Sequence, residues 1–367
     1  MREGLFILLL GSACHVWSQD TTSIELVFAG DIMQHESQMN SAFDPVTQTY
    51  DYSGVFDQVK SLIQPADIAV GNLEFTFGGK PYKGYPAFSA PDELIGAICN
   101  AGFDVMMTAN NHSVDRGRKG IQRTIRLLDS AGMVHTGTFA DTLDYLNDYP
   151  LVLIANGIRL ALLNYTYGTN GIAVPAENVV NLIDTNRIAI DLERARLQNP
   201  DAIIVFFHWG VEYESMPNGN QLDLAQFCLS RGAKLIIGAH PHVLQPMIWD
   251  KERDQAVIYS LGNLVSGQRV RYRNGGALAH IELKKSTDST GASRTTLADV
   301  SYSLVWVYRA PDSRKSFKLI PIRHPVDTLA VEGANSRKLM KQFVEDSRTF
   351  LDRENRHVLE RARKKSN

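Results

Sequence analysis

Residues 234–246 read KLIIGAHPHVLQP and place two histidines directly after a run typical of a buried strand. Gly238 ends the apolar run, and His240 and His242 follow it. Pro241 lies between the histidines and fixes its own φ angle, which stiffens the turn. Alternate residues of an extended segment point to one side, so both imidazoles can reach one point or two neighbouring points. Two isolated histidines after a strand are more often ordinary surface residues, so the other strand ends have to decide between these interpretations.

Four further predicted strands also end in residues that can bind a metal ion. Each is a short apolar run with a carboxylate, amide or imidazole side chain at or just beyond its carboxyl end. The candidates at the five ends are Asp31, Glu74, Asn111 (followed by His112), His208, and the pair His240 and His242. Ligands of open α/β sheets bind at the carboxyl ends of the strands. The sequence therefore predicts a metal site at this edge.

Helical patterns separate most of these strands, which is the order expected of an α/β fold. Helices are predicted at about 55–63, 92–101, 118–130, 184–197 and 222–230. Asn156-Gly157 predicts a β-hairpin with a two-residue turn. Beyond the histidine pair, shorter and more antiparallel strands are predicted at about 256–261, 277–283 and 297–308. From about Asn335 the chain is predicted to be helical and charged.

The composition indicates a folded protein, and the first eighteen residues indicate that it is exported. The chain has 367 residues and is 44% hydrophobic, which is enough for a sizeable core. Its formal net charge of −2 gives no support to nucleic-acid binding. Residues 1–18 have a charged start, a short apolar run and a small final residue, which predicts a signal peptide and a periplasmic or extracellular location. Cys14 is an alternative lipoprotein acceptor, although the preceding residues match that motif poorly.

Cys99 and Cys228 lie in apolar helical patterns and are expected to be free thiols.

The predicted ligands combine oxygen donors with imidazoles and include no thiolate. Such a set suits Mn²⁺, iron or Zn²⁺. Six candidates are too many for one tetrahedral ion but suit two ions bridged by a carboxylate. The expected cofactor is one or two divalent metal ions. His112, beside a predicted ligand, is a candidate general acid for a leaving group, and Asp115 is placed to orient its imidazole.

The order of these motifs resembles that of a known superfamily. The succession of Asp, a second acid, Asn-His, His and Gly-His-x-His is similar to the ligand order of calcineurin-like metallophosphoesterases. The chain resembles more closely the bacterial capsule-synthesis CapA family, which is associated with poly-γ-glutamate capsule production. The stretches that carry this resemblance are 30–33 (GDIM), 72–74 (NLE), 109–117 (ANNHSVDRG), 208–213 (HWGVEY), 238–243 (GAHPHV) and 259–263 (YSLGN). They fall within about residues 23–283.

The resemblance implies a four-layer α/β/β/α sandwich with ligands on loops above two facing sheets. It implies a CapA-like domain over residues 19–310 and a C-terminal extension over 311–367 with a charged helix. By analogy with the superfamily, His240 would complete an ion held by Asn111 and His208. His242 would serve a second ion beside Asp31.

Two departures from the superfamily pattern affect that second ion. Met33 stands where metallophosphoesterases have a histidine, and a thioether is a poor ligand for a hard ion. The bridging acid, usually Asp, is Glu74. His35 could replace the missing ligand or contact substrate instead. Phosphatase activity therefore does not follow from the superfamily alone.

Four other residues are candidates for substrate binding. Lys83 and Tyr85 lie in a loop rich in Gly, Pro and aromatic residues, a possible substrate lip, although turn packing explains such residues equally well. Glu212 could reach the site from the loop after His208 or pair at the surface. For Asn263, which follows a strand and a glycine, site lining and turn chemistry are both open.

Two classes of function fit this sequence. The first is a secreted CapA-type metal-dependent hydrolase or transferase that acts on a capsule or cell-envelope polymer with a poly-γ-glutamate-like, anionic character. The second is a non-catalytic envelope protein that binds or escorts the same kind of polymer. A phosphodiesterase is a third interpretation, which Met33 disfavours.

Overall fold

The computed structural model describes residues 20–310, 316–328 and 331–361. The predicted signal peptide 1–18, with Cys14, lies outside the described residues. The described helices are α1 (Glu36–Ala42), α2 (Lys60–Ile63), α3 (Glu93–Ala101), α4 (Gly117–Ser130), α5 (Thr142–Asp148), α6 (Thr185–Leu197), α7 (Gly219–Ser230) and α8 (Ala334–Glu354).

The described strands are, in chain order, β1 (Asp20–Ile32), β2 (Phe43–Asp44), β3 (Thr49–Tyr50), β4 (Ile68–Leu73), β5 (Val105–Met107), β6 (Val134–Thr136), β7 (Thr138–Phe139), β8 (Leu151–Ala155), β9 (Ile158–Thr166), β10 (Val179–Val180), β11 (Ala202–His208), β12 (Leu235–Ala239), β13 (Met247–Asp250), β14 (Gln255–Ile258), β15 (Asn263–Val265), β16 (Gly275–Thr287), β17 (Ser293–Arg309), β18 (Phe317–Pro321) and β19 (Leu359–Glu360).

Most of these strands form two sheets. Sheet I has the order β18-β17-β16-β1-β4-β5-β6, with β15 paired to β1 and β19 paired to β17. Sheet II has the order β13-β14-β12-β11-β9-β8. The centre of each sheet is parallel: β1, β4, β5 and β6 in sheet I, and β9, β11, β12 and β14 in sheet II. Parallel strands put their carboxyl ends at one edge, which is where the predicted ligands lie.

The two sheets pack face to face and helices cover both outer faces. On β1, Leu26 and Phe28 point into a core shared with Ile204 and Phe206 of β11. The alternate residues of β1 pack under α2, α3 and α4, and those of β11 pack under α6 and α7. Both faces of each central strand are thus buried, which explains why these strands read as continuous apolar runs. The predicted four-layer α/β/β/α sandwich is confirmed.

Two glycines let neighbouring backbone approach closely beside the ligand residues. A Cβ on Gly238, at the end of β12, would lie 2.0 Å from the carbonyl oxygen of Tyr259. A Cβ on Gly30, next to Asp31, would lie 2.0 Å from the carbonyl oxygen of Gly262. Both contacts are far inside van der Waals distance, so only glycine fits at these two strand ends.

The hairpin prediction is confirmed, whereas the prediction for the later strands is wrong in two respects. Strands β8 and β9 pair antiparallel, and Asn156 and Gly157 have φ angles of 47° and 74°, as a primed turn requires. Strands β16 and β17, however, are 13 and 17 residues long, and β14 is parallel to β12. The outer ends of β16 and β17 are polar and exposed, so their sequence resembles a loop although backbone pairing continues.

The C-terminal region completes sheet I. Strands β18 and β19 both pair with β17, and α8 contributes Met340, Phe343 and Leu351 to the core between the sheets. The predicted division at residue 310 therefore falls between two paired strands, β17 and β18. Cys99 and Cys228 are both free, as expected. No helix in the described ranges is long and apolar enough to cross a membrane.

Candidate metal centre

Six predicted ligand residues converge at the carboxyl edge of the two sheets. Sheet I supplies Asp31 at the end of β1, Glu74 just after β4 and Asn111 after β5. Sheet II supplies His208 at the end of β11, and His240 and His242 after β12. None of the six exceeds 3% exposure, so the cluster is enclosed between the sheets.

Acids and imidazoles of this cluster form two groups in the described part of the chain. Glu74, His208 and His240 make up the first group, and Asp31, Glu74 and His242 the second. Within each group the candidate ligand atoms all lie within 4.8 Å of one another. Glu74 belongs to both groups, so its carboxylate is placed to bridge two ions. The division of the histidines is the one that the superfamily resemblance implies.

Glu74 gives the strongest physical indication of a bound cation. Its side chain is completely buried, and neither carboxylate oxygen has a hydrogen-bond partner among the described residues. Burial, together with the neighbouring Asp31, raises the pKa of Glu74 well above its usual range. A buried carboxyl group without partners is strongly unfavourable, whereas a divalent cation would satisfy both oxygens. The residues present therefore fit a metal ion.

Asp31 is held in place by three contacts. Its two oxygens accept hydrogen bonds from Asn72 Nδ2 at 2.8 Å and from the backbone N–H of His240 at 3.3 and 3.4 Å, and Oδ2 lies 2.9 Å from His242 Nδ1. Burial pushes the pKa of Asp31 up, but the hydrogen bonds with His242 and Asn72 outweigh it and leave the pKa below the usual value. Asp31 is therefore an anion, as a metal ligand must be.

The two histidines of the first group, His208 and His240, are neutral and can act as ligands. His208 Nε2 lies 2.9 Å from Asn111 Oδ1 and 3.5 Å from Glu74 Oε1. Burial and the neighbouring imidazoles lower the pKa of His208 well below its usual value and that of His240 to about 4. The Nδ1 atom of His240 is buried without a partner among the described residues. Neutral imidazoles can donate a lone pair to a metal ion, whereas protonated ones cannot.

The turn that carries the two histidines has an unusual backbone. His240 and His242 have φ angles of 99° and 58°, in the left-handed region that favours glycine. Such a conformation costs about 1–3 kcal/mol for each residue, and it clusters at functional sites. The backbone N–H of His240 and the Nδ1 atom of His242 both contact Asp31, which holds the turn in this geometry.

His112 forms a pair with Asp115 at the edge of the cluster. His112 Nδ1 and Asp115 Oδ2 are 2.7 Å apart, and the Phe88 backbone N–H donates to the same oxygen at 2.7 Å. An ionised carboxylate only accepts hydrogen bonds, so this contact assigns the proton to Nδ1 and leaves Nε2 for exchange with a ligand. The Phe88 ring packs edge-on at 4.5 Å from the His112 ring and fixes its orientation.

Met33 and His35 follow Asp31 in the sequence but belong to neither ligand group. Met33 is 2% exposed and packs among apolar residues on the helix-covered face of sheet I. The side chain of His35 is largely buried, accepts from Gly267 N–H at 3.2 Å and packs 5.3 Å from Phe88. Burial and the nearby His242 lower the pKa of His35 to about 4. His35 thus borders the second group without entering it.

The predicted substrate residues differ in their exposure. Lys83 and Tyr85 are exposed on a loop held by reciprocal backbone hydrogen bonds of Lys83 with Ser89. Glu212 is exposed next to Tyr213, and burial together with Glu212 raises the pKa of Tyr213 to about 12. Asn263 is completely buried instead. Its side chain donates to the carbonyl oxygens of Arg273 and His242, so it braces two loops.

Several residues beside the site were not predicted. Asn72 links the sheets by contacting Asp31 and, at 3.2 Å, His208 Nδ1; its polar side chain at the end of an apolar strand was a usable signal. Tyr167 packs 4.5 Å from His240, and the side-chain carbonyl of Asn170 accepts from Asn111 Nδ2 at 3.2 Å. Asn170 therefore fixes which way the Asn111 amide points. These two residues lie on a long loop whose path no sequence pattern indicates.

Fold and site together define a class: an α/β sandwich with paired acid and histidine groups at the carboxyl ends of its strands. Comparison with known proteins identifies the lineage. The chain belongs to the family described as "Bacterial capsule synthesis protein PGA_cap", which matches residues 25–268.

Two relatives bear capsule-related names. The chain is 28% identical over 277 residues to "Capsule biosynthesis protein CapA" of Bacillus anthracis. The aligned region covers 72% of this chain and 65% of the relative. The chain is also 28% identical over 290 residues to "PGA biosynthesis protein CapA" of Bacillus subtilis (strain 168), where the aligned region covers 77% and 73%. The match thus spans slightly under two thirds of the first relative's length.

Solved structures show weaker similarity. Haemophilus influenzae NAD nucleotidase (NadN) has a TM-score of 0.48 at 13% identity, over 89% of this chain and 63% of that one. A hypothetical protein from Thermus thermophilus has a TM-score of 0.42 at 14% identity, over 77% and 98%. These similarities are too low to inform the chemistry.

Proposed function

We propose that the protein is an exported, metal-dependent hydrolase or transferase that acts on an anionic capsule polymer of the poly-γ-glutamate type. Family membership and the capsule-related names of two relatives support the polymer class. The buried cluster of acids and histidines supports the use of metal. Export rests on the sequence pattern of residues 1–18.

A single observation carries the proposal. The Glu74 carboxylate is buried, has no hydrogen-bond partner among the described residues and is shared by both ligand groups. A structural role in an apolar core would not favour an acid at this position, because burial of an unpaired carboxylate is costly. A divalent cation between Glu74 and the histidines removes this cost.

The first centre would consist of Glu74, Asn111, His208 and His240, and the second of Asp31, Glu74 and His242. Mn²⁺, iron and Zn²⁺ all suit nitrogen and oxygen donors of this kind. The second centre is one ligand short because Met33 faces the apolar core. When bound, such ions supply charge stabilisation and an activated water nucleophile.

The chain itself would supply proton transfer through His112. Asp115 Oδ2 lies 2.7 Å from His112 Nδ1 and would stabilise the imidazolium form, whose Nε2–H would protonate a leaving group and leave the ring neutral with its proton on Nδ1. Glu212, Tyr85, Lys83 and His35 would contact the polymer. Asn263 would act indirectly, because its contacts run to the backbone of the site.

Metal analysis followed by a polymer assay tests this function. We expect purified protein to contain divalent metal, to shorten or modify γ-linked polyglutamate, and to lose that activity with chelator and in His240→Ala. Protein that contains no metal, with unchanged activity in His240→Ala, would exclude the proposal.

The burial of Met33 favours a second candidate, a protein that binds the polymer without turnover. In that case polyglutamate binds, no chain shortening or transfer is detected, and binding survives His112→Ala. Turnover that disappears in His112→Ala while binding persists would instead establish catalysis. A phosphodiester substrate in the same panel tests the phosphodiesterase interpretation.

A further inference from the structure

Arg273 is a half-buried cation beside the metal centre that lacks an acidic partner. Its guanidinium carbon lies 3.2 Å from the centroid of the Tyr213 ring. Across the described ranges, its guanidinium makes neither an ion pair nor a hydrogen bond. Arg271, two residues earlier, makes a bidentate pair with Asp346 at 2.6 and 2.7 Å. The N–H donors of the Arg273 guanidinium are therefore not used by an acidic side chain of the described structure and are available to an anionic ligand.

The position of Arg273 is fixed relative to the metal ligands. The side chain of Asn263 donates to the Arg273 carbonyl at 2.8 Å and to the His242 carbonyl at 3.4 Å. Asn263 is itself paired in register with Asp31 through strands β15 and β1. One buried amide therefore ties the loop of Arg273 to both sides of the second ligand group.

Tyr213 forms the second connection to the site. Its backbone N–H donates to the Pro241 carbonyl at 2.8 Å, and its ring lies 6.1 Å from the His242 ring. Its φ angle is 72°, a strained value for an aromatic residue. The ring is thus fixed above the histidine turn and carries the guanidinium of Arg273 on its face.

We propose that Arg273, stacked on Tyr213, is a subsite that binds a carboxylate group of the substrate next to the second ligand group. Stacking on an aromatic face leaves the in-plane N–H donors of a guanidinium free, and their fork matches a carboxylate in a bidentate arrangement. Glu212 is adjacent to Tyr213 in sequence but forms no ion pair with Arg273 within the described structure. The substrate class that follows is a chain with a free carboxylate close to the reacting bond. This inference rests on the proposed function and assigns a recognition residue to it.

Arg273 lies just beyond residue 268, where the family match ends, whereas Tyr213 lies within the matched range. Every unit of a γ-linked glutamate chain has one carboxylate that is not used in the linkage. A chain bound at the metal centre would therefore present free carboxylates along its length, one of which Arg273 would bind.

Binding, measured separately from turnover, tests the subsite. Titration calorimetry of Mn²⁺-loaded full-length protein with a short γ-linked glutamate oligomer compares wild type, Arg273→Gln and Arg273→Lys. Arg271→Gln is the matched control, because it removes a neighbouring cation that already has a partner. The methyl ester of the same oligomer and an organic phosphate ester are the comparison ligands.

We expect Arg273→Gln to weaken binding of the oligomer about 10- to 100-fold, the usual range for one charge-assisted bidentate contact. Arg273→Lys should recover only part of the loss because an ammonium cannot form the fork. Arg271→Gln should bind like wild type, and wild type should bind the ester as weakly as Arg273→Gln binds the oligomer.

Equal binding of the oligomer by wild type and Arg273→Gln would overturn the subsite, as would absence of binding by wild type. Dependence on Arg273 for the phosphate ester alone would overturn the carboxylate assignment. Failure of the proposed function gives a different result: binding that depends on Arg273 persists, but no variant modifies the polymer. Metal content equal to wild type in Arg273→Gln separates a lost subsite from a damaged metal centre.

Discussion

Replacement of Glu74 by glutamine separates the demands of the fold from those of a metal ion. The substitution keeps the shape of the side chain and removes its charge. In the metal-free protein the carboxylate is buried with two unpartnered oxygens, and burial raises its pKa well above the usual range. When the pKa of an acid is higher in the folded state than in the unfolded state, the free energy of unfolding falls as the pH rises above the unfolded-state pKa. At neutral pH Glu74 therefore destabilises the metal-free fold.

Glu74→Gln should therefore stabilise the metal-free protein. An amide at this position is still unpartnered, so the expected net gain is only about 1–2 kcal/mol. For a chain of this size that corresponds to an increase in melting temperature of about 1–3 °C. Bound metal should reverse the order, because an ion present at 100 times its Kd stabilises wild type by about 2.7 kcal/mol.

Calorimetric melting at pH 7.5, with chelator and then with Mn²⁺, measures both effects. Glu252→Gln makes the same chemical change at an exposed position and should alter the melting temperature little in either condition. A Glu74→Gln protein that is clearly less stable than wild type in chelator, together with equal stabilisation of the two proteins by Mn²⁺, would refute this prediction.

Three further substitutions test other parts of the structure. Met33→His should not restore a ligand but should destabilise the protein by about 2–4 kcal/mol in urea unfolding, because Met33 packs in an apolar core; unchanged stability with extra bound metal would contradict this. Glu25 has its pKa lowered to about 2 by hydrogen bonds with His280 and Arg361, so its ionised form stabilises the fold above about pH 4.5, and this contribution is lost as the pH falls toward 2. Because Glu25 is partly exposed, Glu25→Gln should cost only about 1 kcal/mol at pH 7, and urea midpoints should converge with those of wild type near pH 2–3; a constant difference would argue against the charge effect. Gly238→Ala should prevent normal folding, seen as insoluble or poorly cooperative protein, whereas Gly96→Ala, with open space around its Cβ, should fold normally.

The sequence was sufficient to predict that most of the candidate ligand residues converge, because of one topological rule. Asp31, Glu74, His208 and the histidine pair stand at or directly after buried parallel strands, and such ends meet at one edge of the sheets. Each of them can thus be placed without knowledge of long loops. Asn111 belongs to the same category, although three residues separate it from the last residue of β5.

The residues that sequence reasoning did not find depend on tertiary contacts. Tyr167, Asn170 and Arg273 lie in loops, and their distances to the ligands follow from loop paths rather than from any periodic pattern. Loop conformation is set by contacts with the rest of the fold, which short sequence windows do not contain. The full lengths of β16 and β17 were missed for a similar reason, because their polar outer ends pair with each other beyond the apolar core.

The direct test of the central claim is diffraction from crystals grown with Mn²⁺, with data collected on both sides of the Mn absorption edge. We predict an anomalous peak within ligand distance of Glu74, His208 and His240, and a weaker peak or none beside Asp31 and His242, where Met33 supplies no ligand. A crystal in which Glu74 has no anomalous peak beside it, at saturating Mn²⁺ or Zn²⁺, would contradict the account.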